Sequence, residues 1–180
     1  MPIISIGGKP GSGKSSIGKL LAQKLNITFF SMGAIRRAYA QEHNMTINEL
    51  NEESVKDARS DILVDEYQKK LPLKHKEFII DSRLGYFFIP QSVKVFVDVK
   101  RAVAAKRIFE QHRVTEQWKN VEEGEQELLK REQNDSKRYI ALYNTDPNTA
   151  NYDLVIDSTN MTIEESVEKI LAFLKTHNQR

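Results

Sequence analysis

The sequence predicts a doubly wound α/β fold, a sheet of about five parallel strands flanked by helices. Three observations lead there. Short apolar runs alternate along the chain with longer segments of helical periodicity. Those runs are apolar throughout rather than at every second residue, as in strands covered on both faces. The glycine-rich loop Gly8-Lys9-Pro10-Gly11-Ser12-Gly13-Lys14-Ser15 stands between the first run and the first helix.

Taken in order, Ile3 to Ile6 reads as a buried strand, and Ser15 to Leu25 as a helix with Ile17, Leu20, Leu21 and Leu25 on one face. Ile27 to Phe30 is a second strand, and Gly33 to His43 is helical. Asn48 to Leu71 is charged with sparse apolar positions, which predicts one long or broken helix, mostly solvated, ended by Pro72. Phe78 to Asp81, Val93 to Asp98 and Leu154 to Asp157 are three further strands, each finishing on an aspartate. Helices are expected at Arg101 to Gln111, Glu122 to Tyr143 and Thr162 to Thr176. Thr162 and Glu165 have capping-box spacing, and Ile163, Val167, Ile170, Leu171 and Leu174 form one stripe. With no internal repeat and no linker, residues 1–180 read as a single domain.

Composition narrows the chemistry. The chain is 39% hydrophobic and 29% charged, ordinary for a soluble protein. No apolar run approaches the ~20 residues needed to span a bilayer, and a strand beginning just after Pro2 leaves no room for a secretory signal, so a cytoplasmic protein is expected. Cysteine is absent, which excludes disulfides, thiolate nucleophiles and cysteine metal sites. The four histidines show no ligand spacing. A net charge of +2 is too small to argue for a nucleic-acid or membrane partner. Catalysis must use oxygen, lysine and arginine chemistry.

The loop supplies it. Gly, four residues, then Gly-Lys-Ser lets backbone N–H groups wrap phosphates at a helix N-terminus, with Lys14 reaching the outer phosphates and the Ser15 hydroxyl ligating Mg²⁺. The candidate triphosphate-binding set is Gly8, Gly11, Ser12, Gly13, Lys14, Ser15 and Ser16. Lys9 has two readings: a solvated loop lysine, or a lysine acting on a partner subunit's nucleotide, as in some dimerising ATPases. Pro10, where those ATPases have glycine, favours the first.

Asp81, Asp98 and Asp157 could each hold the metal through water from a strand end. Asp81 is singled out by its neighbours, since Ser82-Arg83 brings a guanidinium beside it. Asp98 suits capping or ion pairing equally, and Asp157 suits a loop. Arg131, Asp135 and Arg138 share one helix face, either as a solvated salt-bridge ladder or as a clamp for charge on a transferred phosphoryl group. Arg107 and Arg113 flank the start of a polar stretch reaching Glu125, with Trp118 and Gly124, that reads as a lid or a surface loop. Arg37, following Ser31-Met32-Gly33, faces the same sheet edge as Arg83, and two arginines there suit bidentate recognition of an acceptor phosphate.

Together these residues resemble the nucleoside monophosphate kinases, and most closely the short cytidylate kinases of archaeal type. The resemblance rests on the P-loop, Ser31-x-Gly33-x-x-x-Arg37, Asp81-x-Arg83-Leu84, Arg131-x-x-x-Asp135-x-x-Arg138-Tyr139 and the Tyr152-Asp153-Leu154-Val155-Ile156 strand. It implies a P-loop NTPase fold with sheet order 2-3-1-4-5, an acceptor-binding helical region near 33–75 and a lid near 108–125. It implies transfer of the ATP γ-phosphoryl group to CMP or dCMP with Mg²⁺, held by Ser15 and, through water, by Asp81. Ser31, Gly33, Arg37 and Arg83 would bind the acceptor; Lys14, Arg107, Arg131 and Arg138 would serve donor phosphates and the transition state. ATP and a nucleoside monophosphate would be the partners of a monomer. Ser82 departs from the family's glycine in the acidic-Gly-Arg step, and Gln111 stands where a lid arginine is common, with Arg113 a substitute. The longer bacterial enzymes insert small strands where Asn44 to Leu71 reads as helix, so the base is inferred rather than read. Other expectations left open are a different small acceptor and a nucleotide switch using Lys9 across a dimer.

Overall fold

The computed structural model describes residues 2–56, 59–111 and 118–177. Its sheet contains β1 (Ile4–Gly8), β2 (Thr28–Ser31), β3 (Phe78–Asp81), β4 (Val93–Asp98) and β5 (Leu154–Asp157), all parallel, in the order β2-β3-β1-β4-β5. The helices are α1 (Lys14–Leu25), α2 (Met32–Glu42), α3 (Ile47–Lys56), α4 (Arg59–Lys74), α5 (Gly85–Phe88), α6 (Arg101–Glu110), α7 (Val121–Tyr143) and α8 (Ile163–His177). Register aligns Ser31 with Asp81 and Asp81 with Ile6, so β2 and β3 end level with each other, two residues before β1 runs into the loop that leads to α1.

Both faces of the sheet are covered, as the unbroken apolar runs require. Ile4, Ile6, Ile79 and Val95 pack with Ile17 and Leu21 of α1 and with Val167 and Ile170 of α8. Phe78 and Ile80, one residue out of phase with Ile79, face Met32 of α2 and Val64 and Leu71 of α4. The edge strand β5 is less covered, and Val155 is exposed. The capping box of α8 forms as expected: Thr162 N–H donates to Glu165 at 2.8 Å and Glu165 N–H to Thr162 Oγ1 at 3.1 Å. A second box, Thr46 with Glu49, starts α3.

The segment read as a solvated helix differs in two ways. Pro72 lies inside α4 rather than ending it, because near a last turn it removes a single amide, and His75 N–H still reaches the Leu71 carbonyl at 2.9 Å. More consequential is burial. Ser60, Asp61, Val64, Asp65, Gln68 and Leu71 are all buried, while Ile62, Leu63 and Leu73 are exposed. This helix turns a polar face inward, and a reading based on apolar periodicity passes over such a face.

Candidate active site

Glycine governs the loop's geometry. Gly11 has φ +72°, and a Cβ there would stand 2.8 Å from Ala104 of α6; Gly13, at φ +87°, is the N-cap of α1. The loop is tied down from behind by Ser158, whose hydroxyl lies 2.9 Å from the carbonyls of both Ser12 and Asp98. Gly8 ends β1 against Val97, and Ser12 is buried. Lys14 Nζ donates to the Lys9 carbonyl at 2.7 Å, curling over the loop where phosphate oxygens would lie.

The three strand-ending aspartates separate clearly. Ser15 Oγ donates to Asp81 Oδ2 at 2.5 Å, and Ser31 Oγ approaches the same oxygen at 3.2 Å. Asp98 pairs with Lys9 Nζ at 2.8 Å and accepts Val99 N–H. Asp157 accepts Thr159 N–H at 2.9 Å, and hydrogen bonding first from the Thr159 side chain and then from its backbone holds the Asp157 carboxyl below the usual range. Asp81 alone of the three meets the loop serine. Ser15 and Asp81 are hard oxygen donors that suit Mg²⁺. No group of three or more His, Cys, Asp or Glu suited to a metal occurs among the described residues, so such an ion would depend on phosphate oxygens and water for its other ligands.

Above the loop opens a cavity of about 390 Å³, into which Ser16, Gly33, Arg37, Arg83, Arg107, Gln111 and Arg131 face beside Lys14 and Ser15. Arg107 is held there by the carbonyls of Ser158 at 2.9 Å and Thr159 at 3.4 Å. Ser31 contributes through Asp81 and by capping α2, its Oγ accepting Ala34 N–H. Arg113 lies outside the described residues, as do the other residues of 112–117 within the expected lid. At the lid's far end, Trp118 packs on Gly124 and joins Val121 against Ala104, Ala105 and Ile108 of α6.

A recess of about 70 Å³ leads off the cavity, sharing Gly33, Ser82, Arg83 and Arg131 with it. Its wall is a chain of alternating charges. Arg36 pairs with Asp61; Arg138 Nε lies 2.8 Å from Asp61 and its Nη2 2.7 Å from Asp135; Arg83 lies 3.1 Å from Asp135. Arg138 also stacks over Tyr139, 4.8 Å from the ring centroid. Burial raises the Asp135 carboxyl, but the guanidiniums of Arg83 and Arg138 more than offset it and hold the group at about 2. The solvated-ladder reading of Arg131, Asp135 and Arg138 therefore does not describe this face. The two arginines are placed differently: Arg131 faces both cavity and recess, while Arg138, only 4% exposed, stands in the recess.

Residues 3–160 match the cytidylate kinase-like family. The chain belongs to this family. A cytidylate kinase of Methanobrevibacter smithii is 31% identical over 174 residues, 96% of this chain and 98% of that protein. An S-adenosylmethionine-dependent nucleotide dehydratase of Lacinutrix mariniflava is 34% identical over 178 residues, covering 97% of this chain but 36% of the dehydratase. Among solved structures, shikimate kinase from Acinetobacter baumannii in complex with shikimate superposes with a TM-score of 0.66 at 15% identity, over 100% of this chain and 96% of that one. That likeness concerns the fold. The chain is a nucleoside monophosphate kinase of the P-loop class.

The recess holds residues that sequence reasoning missed: Arg36, Asn51, Asp61, Asp65 and Gln68. A signal was present. Asp61, Asp65 and Gln68 are four and three residues apart, one face of a helix, in a segment whose apolar residues do not form a stripe.

Proposed function

We propose that this kinase transfers the γ-phosphoryl group of ATP to CMP or dCMP, giving ADP and CDP or dCDP. One observation carries the reading: the P-loop cavity passes, between the arginines that line it, into a polar recess built by the acceptor-side helices. A donor triphosphate and an acceptor nucleotide need such a two-part site with their phosphates meeting at the junction. Family membership supports the same acceptor class.

In this reading the loop amides and Lys14 hold the donor phosphates, with Arg107 and Arg131 stabilising charge that develops on the transferred group. Arg37 and Arg83 clamp the acceptor phosphate. One of its anionic oxygens attacks the γ-phosphorus as the bond to the bridging oxygen breaks, and ADP leaves with that electron pair. No general base is needed, because the attacking oxygen carries no proton at neutral pH. Mg²⁺, held by Ser15 and through water by Asp81, would neutralise charge on the phosphate oxygens. Arg138 is a positioning residue, orienting Arg83 through Asp135.

An acceptor panel with ATP and Mg²⁺, followed by ADP release, tests the proposal. Turnover on CMP or dCMP is expected, and none above background on either would overturn it. The switch reading finds no support, since Lys9 pairs within its own chain to Asp98.

A further inference from the structure

Resting on the kinase reading, we infer that Asp65, Gln68 and Asn51 form the base-reading edge of the acceptor site and select an aminopyrimidine over uracil and over purines. The three side chains are 5%, 1% and 4% exposed and line the recess beyond Arg83.

Their hydrogen bonds determine which way each one points. The Gln68 amide has its nitrogen 2.8 Å from Asp65 Oδ1 and its oxygen 2.8 Å from Ser82 Oγ, which donates to it. The opposite orientation would set the amide oxygen against a carboxylate, so the donor end must face Asp65. Ser82 in turn accepts Leu84 N–H at 3.2 Å, leaving its own proton for Gln68. Tyr143 donates to Asp65 Oδ2. Asn51 accepts from Arg36 through Oδ1 at 3.1 Å, which turns Nδ2 the other way. That Nδ2 is buried and has no hydrogen-bond partner among the described residues.

Three groups in the recess thus retain capacity: the Asp65 carboxylate as acceptor, the second N–H of Gln68 and the amide of Asn51 as donors. Cytosine presents one amino donor, one ring-nitrogen acceptor and one carbonyl acceptor, the matching set. Uracil has a carbonyl on each side of its single ring N–H, so one carbonyl meets the carboxylate. Adenine offers an amino group and a ring nitrogen but no carbonyl for Asn51. Size acts the same way, since a single ring fills a recess of about 70 Å³ with less parting of α2, α4 and α7 than two fused rings require. Leaving a buried polar group unpaired costs enough to discriminate at least tenfold.

Ser82, donating to the Gln68 amide oxygen, positions this edge. Were these polar groups merely buried, their substitution would leave acceptor choice unchanged.

Steady-state rates with CMP, UMP and AMP on the full-length protein and on D65N, N51D and S82G test this. The wild type is expected to favour CMP over UMP and AMP by roughly tenfold or more. D65N and N51D should each cut kcat/KM for CMP by roughly tenfold, chiefly through KM, and narrow the CMP to UMP ratio, with KM for ATP unchanged. S82G should narrow the ratio by a smaller factor. A variant that fails to fold is replaced by the other two, which report the same ratio. A CMP to UMP ratio preserved in the folded variants, or a wild type that prefers UMP or AMP, overturns the inference while leaving nucleotide kinase activity standing. Loss of activity on every nucleoside monophosphate would instead overturn the kinase reading on which it rests.

Discussion

The two halves of this site are built on different principles. The phosphate cradle is local: eight consecutive residues, with backbone amides and three glycines at positive φ, followed by one helix start. The recess proposed for the acceptor is assembled from α2, α3, α4, α7 and the end of β3, and its surface is made of side chains. A cradle of backbone groups can lose one side chain without disturbing its shape. A desolvated charge chain cannot, because removing Asp61 takes a buried carboxylate partner from both Arg36 and Arg138. In the cradle, function and stability should separate on mutation; in the recess they should fall together.

Lys14→Ala gives the sharpest test of the first half. Its amine lies on the loop, donating to the Lys9 carbonyl, and outside the apolar core, so turnover should fall by roughly 10³-fold or more while the melting temperature holds. Steady-state kinetics beside a thermal melt would check this, and a large drop in melting temperature would erase the contrast. Asp61→Ala should behave the other way, destabilising by about 3 to 5 kcal/mol in urea denaturation and weakening the acceptor more than ATP.

Acid sharpens the comparison within the recess itself. Asp135 is depressed from 3.8 to about 2, so its stabilising contribution is complete above its unfolded value and is lost as pH falls toward 2. The loss should be about 2 kcal/mol, readable as the difference between wild type and Asp135→Asn across pH 5 to 2. Asp65 is shifted upward, first by burial, against the hydrogen bonds from Tyr143 and Gln68. For such a group the penalty grows as pH rises past the unfolded value, so Asp65→Asn should gain stability relative to wild type with rising pH. Two carboxylates in one recess should therefore give opposite pH slopes. The smallest effect belongs to the cradle: Gly11→Ala, at φ +72° and close against Ala104, should cost about 1 to 2 kcal/mol and weaken nucleotide binding, measured by titration with an ATP analogue.

Most of the fold was legible because strand and helix periods differ and the strands are covered on both faces. Phe78 to Asp81, Val93 to Asp98 and Leu154 to Asp157 lie where the sequence puts them, and the capping box at Thr162 starts α8. The short helix α5 gave no periodic signal across its four residues. The polar face of α4 was missed for a different reason. Asp61, Asp65 and Gln68 look like solvent-facing residues, and what buries them is partners far away in sequence: Arg36 and Arg138 for Asp61, Tyr143 for Asp65, Ser82 for Gln68.

The sequence by itself determined the cradle, since a phosphate-binding loop is a property of neighbouring residues and of the helix they begin. It also named Asp81 and the arginines as candidates. Only the tertiary structure decided among them. It brought Asp81 to Ser15, gave Asp98 to Lys9, kept Arg131 at the junction and drew Arg138 into the recess. The physical reason is that each choice depends on which buried charge finds a partner, and those partners come from separate elements. No local pattern encodes that match.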